Sequence, residues 1–475
     1  MLLKGKRLIC IALGLALLLT LAAGCGSTER TADTKPTEAP VQNNESSTPD
    51  PEQSDESTSD EEQYDFGGRV IRYASWWNAG PAEDATPETD KRIGRIAELE
   101  EKFNCKFEYV TIPMDQYNEQ FTSTTLAGDP MAEIIEMHIM WLYPGHMNKG
   151  FLTPLDDLGV FDFTQEKWNK TMMKYGTYKG KHYSMAVGKM APYAGLFWNK
   201  TLFERENLPD LYELQRNYEW TWEKFREIAI KATRDTDGDG SIDQWGLDGV
   251  GGQGQFVASN NAFIVKLVDD KPVFGLTDPR AVEALQFYQD LKINDKVHFT
   301  APADAAWDYG LGQFAAGKTA MFMGSYWMTS MIKDSMQDEF GFVFFPMGPQ
   351  ATEYTSEFSG FNFPVMSSAL ENPVEVALFW DAFTEPYPDE EPDDWIADYE
   401  NGASDRGTVE TIVKMIGEEL YTPNLMESFP DLYSLMGTLY GQISLGNMTA
   451  QAAIDMISKR AQSILDDYVK GEQSE

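Results

Sequence analysis

Asp235, Asp237, Asp239, Ser241 and Asp243 alternate with Thr236, Gly238, Gly240 and Ile242. The string fits the first nine positions of an EF-hand calcium loop. Acidic ligands fall at positions 1, 3 and 5, a glycine at 6 makes the sharp turn, a backbone carbonyl at 7 is offered by Ser241, and a carboxylate stands at 9. Four carboxylates within nine residues repel one another unless a cation holds them. Position 12 is Gly246 rather than the bidentate glutamate. The loop is therefore incomplete, with water or another residue such as Asp248 filling in. The expectation is a bound Ca2+ with a structural role, pinning the loop after a helix that starts at Thr221. The other reading is an exposed acidic turn.

Two glycine strings invite phosphate chemistry and fail its structural requirements. Gly312 to Thr319 matches the Walker A pattern letter for letter. That mechanism needs a strand before the loop and a helix after it. Here the order reads helix, Gly317, strand, so Gly317 is expected to stop a helix. Gly249 to Gly254 contains GxGxxG, but a lone match is weak. It reads as a loop, and a plain flexible loop is one account of it. His138 and His146 lie near Glu133 and Glu136 without HExxH spacing, and there is no Gly-x-Ser-x-Gly elbow. No catalytic residue is expected.

The aromatic residues carry more information. Trp76, Trp77, Trp141, Phe256, Trp327, Phe361, Phe429 and Tyr433 fall on loops or strand ends, away from regular apolar faces. A sugar presents apolar C–H faces that stack on such rings, and hydroxyls that need carboxylates and amides. Asn78, His138, Gln253, Asn260 and Asp431 would supply the polar side. For each aromatic taken alone, core packing is the competing account. As a group, at least Trp77, Trp141 and Trp327 are expected to touch ligand.

The 475 residues exceed one ordinary core, and two or three domains are expected. Sixty aromatic side chains (12 Trp, 21 Tyr, 27 Phe) exclude global disorder. The 38 basic and 76 acidic residues leave a net charge of −38, which repels nucleic acid and disfavours polyanionic ligands. Lys4, Lys6 and Arg7 precede an apolar run from Leu8 to Ala23, the pattern of a secretory signal. Leu21-Ala22-Ala23-Gly24-Cys25 resembles the bacterial lipobox. The resemblance implies cleavage before Cys25, lipidation of its thiol and a membrane anchor on the outer face; an uncleaved anchor helix is the other reading. Only Cys105 then remains, so no disulfide forms within the mature chain. Residues 26–65 carry 12 acids and two bases with almost nothing apolar, and should form a disordered tether.

The elements that must position these residues begin after the tether. Strands are expected at Arg69 to Ala74, Phe107 to Ile112 and Ala132 to Met137, with helices at Asp90 to Asn104 and Tyr117 to Ala127 between them. This alternation argues for an α/β domain with a largely parallel sheet. Ligands of such sheets sit at the carboxyl ends of strands, which points to Trp76, Trp77, Asn78, His138 and Trp141. A second α/β region follows. It has strands at Gly180 to Ala186, Tyr193 to Trp198 and Thr319 to Met323, a helix capped by Thr221, and a helix from Pro279. From Asn372 the pattern is mainly helical. Pro386 to Asp398 is a polar interruption, and Thr449 to Val469 is a long amphipathic helix.

Several segments, in order, resemble the family 1 extracellular solute-binding proteins of ABC importers. They are Gly150 to Asp156, Gly180 to Met185, Phe197 to Phe203, Thr221 to Phe225, and Phe314 to Met321 followed by Gly324 to Trp327. Trp198 and the Met185-Ala186 pair depart from the family pattern, and 386–412 matches none of it. The resemblance implies a two-lobe periplasmic-binding-protein-like (type II) α/β fold, each lobe a central sheet flanked by helices, with a hinge between. Lobe one would comprise 66–188 and 359–386, and lobe two 189–358 and 387–475. The aromatics named above would line the cleft, and the Gly249 to Gly254 loop, after a lobe-two strand over Gln244 to Leu247, would bring backbone N–H groups with Gln253, Gln255 and Phe256 to the ligand. The implied function is capture of a carbohydrate, an oligosaccharide, by a monomer that closes over it. The monomer then delivers the ligand to membrane permease subunits powered by a separate ATPase. A polyol, peptide or glycerol phosphodiester ligand, or service as ligand-presenting subunit of a membrane sensor, is the alternative.

Overall fold

The computed structural model describes residues 64–81, 87–249, 252–269, 271–302, 304–388, 391 and 393–470. The expected signal, Cys25 and nearly all of the tether lie outside the described residues. A first four-stranded sheet is built from β1 (Arg69–Ser75), β2 (Cys105–Thr111), β3 (Ile134–His138) and β9 (Asn362–Val365), in the order β9-β3-β1-β2. β1 runs parallel to β2 and β3, and β9 runs antiparallel to β3. β2, at the edge of the sheet, covers only one of its faces. Cys105 and Phe107 are buried on one side while Lys106 and Glu108 alternate outward. Helices α1 (Pro87–Phe103) and α7 (Pro373–Phe383) close one face through Leu99, Phe103 and Phe379 against Ile71 and Phe107. Helix α2 (Met114–Ala127) buries Tyr117 and Phe121, and the Tyr117 hydroxyl donates to the Ala74 carbonyl on β1.

A second sheet has β4 (Ala194–Asn199), β5 (Trp245–Gly249), β6 (Thr319–Ser325) and β7 (Phe340–Val343) in the order β7-β4-β6-β5. β5 and β6 are parallel; β4 is antiparallel to β6 and β7 and buried at all six residues. Its helices start where the capping chemistry says they should. Thr221 caps α3 (Trp222–Ala232), with its hydroxyl accepting from Lys224 N at 3.4 Å. Asp278 caps α5 (Pro279–Ile293), which has proline at its first position. Between these two helices lies α4 (Gly252–Ser259). Helix α6 (Tyr309–Ala315) ends before Gly317 at φ +72°, and β6 follows. The Walker-like string is thus a helix stop, as its order requires. The strand expected over Gly180 to Ala186 shrinks to a two-residue pairing at Lys181–His182; beyond it, Ser184 to Ala186 are buried without a ladder.

The outer edge of β7 is covered by side chains. Phe342 N donates to Thr408 Oγ1 (3.1 Å) and Tyr212 Oη (3.3 Å), and Phe344 N donates to Gln215 Oε1 (2.8 Å). Thr408 belongs to α8 (Arg406–Gly417), so the segment with no sequence match protects a sheet edge that would otherwise recruit a strand. The chain passes between the sheets at 188–193, at 359–361 and again after α7. Beside these crossings β8 (Ser356–Phe358) pairs in parallel with β10 (Tyr421–Pro423), and Ser356 Oγ donates to the Ala194 carbonyl. The C-terminal helices α9 (Pro430–Ser444) and α10 (Ala450–Lys470) pack on α5 and on the hairpin Val265–Val268/Lys271–Phe274, with the second sheet. Among the described residues, no helix is long and apolar enough to cross a membrane.

Candidate functional site

At the carboxyl ends of β1 and β3 the aromatics expected there do meet. Trp76 lies 4.9 Å from Trp77 and 5.8 Å from Trp141 between ring centroids, edge to face in both pairs. Tyr117 stacks on Trp141 at 5.9 Å, and His138 stands 6.0 Å from both Trp76 and Trp141. Trp77 stays 39% exposed, so the cluster presents an open ring to solvent rather than a sealed core. Asn78 is exposed, and its Oδ1 accepts from Gly80 N, which shapes the loop. The His138 Nδ1 accepts from Met140 N at 3.2 Å, leaving Nε2–H to point away. Burial pushes this imidazole down to about 4, so it is neutral at physiological pH.

The second sheet answers with a pair of its own. Trp327, just after β6, is 51% exposed and Trp307, before α6, is 59% exposed; their centroids are 6.0 Å apart. Two bare indoles side by side are uncommon on a protein surface and suit a flat apolar ligand face. At the crossing between the sheets, Gly360 (φ +75°) threads past Tyr193 and His138. A Cβ there would lie 2.8 Å from the Tyr193 hydroxyl and 3.4 Å from His138 Nε2. Glu427 completes the polar set, with Oε2 3.7 Å from His138 Nε2. Burial raises both Glu427 and Tyr193, the latter to about 12. Tyr117, Tyr193, Trp307, Gly360 and Glu427 were not singled out by sequence; each comes from a different segment and none has a local signature.

Other expected residues are placed elsewhere. Phe256 is fully buried on α4 between Trp222, Phe287, Tyr288 and Phe345, and is core because α4 is a helix rather than the loop its glycines suggest. Phe361 is also core, packed at 4.1 Å from Phe358 and near Tyr175; its carbonyl accepts from Ile139 N. Phe429 is buried against Tyr143 and Tyr468. Gln253 donates to the Tyr288 hydroxyl at 3.3 Å, and Asn260 is consumed by Arg280 O, Glu283 and Gln350 N. Asp431 opens α9 beside Tyr468, and Tyr433 is exposed on the same helix. None of these joins the aromatic groups above.

In the acidic loop, ligand atoms of Asp235, Asp237 and Asp239 lie within 4.8 Å of one another. Ser241 remains exposed, and the Asp243 carboxylate accepts from Thr236 N and Oγ1 instead of joining them. Asp248 does not complete the set. It is buried against Gly310, and burial raises it to about 6. Gly246 cannot carry the missing glutamate, because a Cβ there would sit 2.1 Å from the Ala229 carbonyl oxygen on α3.

Two α/β lobes with aromatic and polar groups gathered at strand ends beside the crossings define a bilobal solute-binding protein. Residues 85–386 match the family of bacterial extracellular solute-binding proteins, and the chain belongs to it. Proteins of this kind bind small molecules for ABC importers and work with permease partners; they are not enzymes. No curated protein matches the sequence. Solved structures share the fold at low identity. A solute-binding protein of Thermotoga lettingae bound to α-D-tagatose is 19% identical (85% of this chain, 100% of that one, TM-score 0.57). Lmo0181 of Listeria monocytogenes, in complex with cycloalternan, is 17% identical (86% and 100%, TM-score 0.58). UgpB of Mycobacterium tuberculosis, in complex with glycerophosphocholine, is 18% identical (85% and 100%, TM-score 0.61).

Proposed function

We propose that this protein captures a neutral carbohydrate, an oligosaccharide, between its lobes and hands it to an ABC permease. One observation carries the reading: open indole faces stand at the strand ends of both sheets, Trp77 on one and Trp307 with Trp327 on the other. Rings on both sides suit a ligand with more than one apolar C–H face. The polar groups at the crossing beside Gly360 are Tyr193, neutral His138 and Glu427, which exchange hydrogen bonds with hydroxyls and offer no cation to a phosphate. Closure would be a population shift driven by contacts to both lobes at once. We further read Cys25 as the lipidated first residue of the mature chain, tethering a monomer to the outer membrane face. The Asp235 loop is read as a structural calcium site.

Thermal shift and calorimetry of residues 66–475 with tagatose, maltotriose, cycloalternan, ribitol and glycerophosphocholine test the ligand class, because binding to the native state raises the melting temperature. Saturable binding of an intact saccharide is the expected result. Binding of glycerophosphocholine alone would favour the second reading. An aromatic cluster beside Glu427 also suits a quaternary ammonium, and UgpB gives that ligand a precedent on the same fold.

A further inference from the structure

The junction between the lobes holds a carboxyl group that ligand contact does not explain. Glu357 is central in β8 and buried, and Asn424 Nδ2 donates to it. Its Oε1 faces α4, where a Cβ on Gly254 would lie 2.4 Å away. Glycine at that position leaves the Glu357 carboxyl and the Asn424 amide where they are; a side chain there would have to displace them. Asn424 does two further things. Its backbone N–H donates to the Phe358 carbonyl at 2.8 Å, and its Oδ1 accepts from Met426 N at 3.0 Å. With its amide nitrogen held by Glu357 and its amide oxygen by Met426, Asn424 cannot flip without losing both. Met426 opens the one-turn 3-10 helix Met426–Ser428, and the middle residue of that turn is Glu427, the carboxylate beside His138.

We propose that Glu357 is a positioning residue for the ligand cleft: through Asn424 it sets the turn that carries Glu427 to His138, and its protonation state governs how firmly that turn is held. The consequence for ligand rests on the cleft reading above; the coupling within the junction does not. Few titratable groups face Glu357. Glu427 acts on it from the turn, Tyr193 stands on the segment leading into β4, and Tyr440 stands on α9 with a buried hydroxyl that has no hydrogen-bond partner among the described residues. α4 presents Gly254 and no titratable side chain. Burial pushes the Glu357 carboxyl up to about 7; the Asn424 bond opposes this and the Glu427 charge adds to it. The neutral acid therefore suits the packed junction. The anion is a buried charge with one amide donor and a second carboxylate near, and water entering between β8, β10 and α4 relieves it. Because the folded value is raised, the stabilisation is complete below the ordinary carboxylate range and is lost as pH rises through about 7.

Hydrogen exchange of the peptide spanning 419–430, without ligand, tests the coupling. Rates are corrected for the intrinsic pH dependence and compared at about pH 6 and about pH 8.5. In the wild type, protection is expected to fall at least about tenfold between the two, and in Glu357→Gln, whose amide mimics the neutral acid, to stay high at both. Asn424→Ala should lose protection at both values, and it supplies the readout if Glu357→Gln does not fold. A wild type without pH dependence, an equal dependence in Glu357→Gln, or wild-type behaviour of Asn424→Ala would overturn the proposal. Calorimetry with maltotriose forms the second arm. Wild-type affinity should weaken several-fold from about pH 6 to about pH 8.5 and that of Glu357→Gln should not; a pH-independent wild type removes the link to ligand. If no saccharide binds, the carbohydrate reading falls, while the exchange arm still decides the role of Glu357.

Discussion

Trp327 and Trp307 are the residues on which the ligand reading is most exposed to test. Each leaves more than half of its surface in water, so neither contributes much to folding. Trp327→Ala should weaken saccharide binding about tenfold, the loss of a stacking contact worth roughly 1 kcal/mol plus the area it covers. The ligand-free melting temperature should not move. Calorimetry beside thermal unfolding checks this, and unchanged affinity removes Trp327 from the site. Trp76→Ala is a different experiment. That ring packs on Trp77, Tyr117, His138 and Trp141. Its removal should cost about 3 kcal/mol of stability as well as affinity, so a binding loss there means less. The contrast shows why exposure decides which aromatic can be read as a platform.

Elements, more than residues, separate what was legible in the sequence from what was not. The order of strands and helices, the Thr221 and Asp278 caps and the Gly317 stop are local signals, and three strands of each sheet come from segments read as strands, while β7 and β9, short and at the sheet edges, were not expected. The segment around Gly252 and Gly254 misled for a physical reason. Glycine usually disfavours helix, but here a Cβ at either position would press on the Met323 or Glu357 side chain, so the glycines let α4 lie against the sheet and the junction without moving them. Phe256 then turns inward with the helix. Tyr193, Trp307, Gly360 and Glu427 were invisible because the fold alone brings distant segments together. The acidic loop shows the same limit from the other side. Its motif was plain, yet only the fold explains Gly246 at the twelfth position, where α3 leaves no room for a side chain. Gly246→Ala should therefore destabilise by about 2 kcal/mol or more, since backbone and not a flexible side chain must yield; chemical denaturation measures it. If the loop holds calcium, the ion should raise the melting temperature and Asp239→Asn should reduce that rise. No rise above a chelated control would leave the loop as an exposed acidic turn.

At the scale of the whole molecule, charge and buried acids act in the same direction. The chain carries −38, and self-repulsion of that size opposes the compact state at neutral pH and above. Added to it are two carboxyls that burial pushes up to about 7, Glu357 at the junction and Glu136 on β3, the latter hydrogen-bonded by Tyr73. For both, the folded value lies above the unfolded one, so each contributes stability that is complete below about pH 4.5 and lost as pH rises through about 7. Asp278 works the other way. Its bond to Arg280 lowers it to about 2, so its contribution is present above the ordinary carboxylate range and disappears only in acid. The protein should therefore be more stable to denaturant at about pH 5.5 than at about pH 8, by roughly 2 kcal/mol or more. Salt should narrow the difference by screening the surface charge, and it should leave the part owed to the buried acids. Glu136→Gln should remove a share of that residue without touching exchange in 419–430, which belongs to Glu357. Equal stability at the two pH values in high salt would mean that both carboxyls are solvated in the folded protein, and that the junction is wetter than its packing shows.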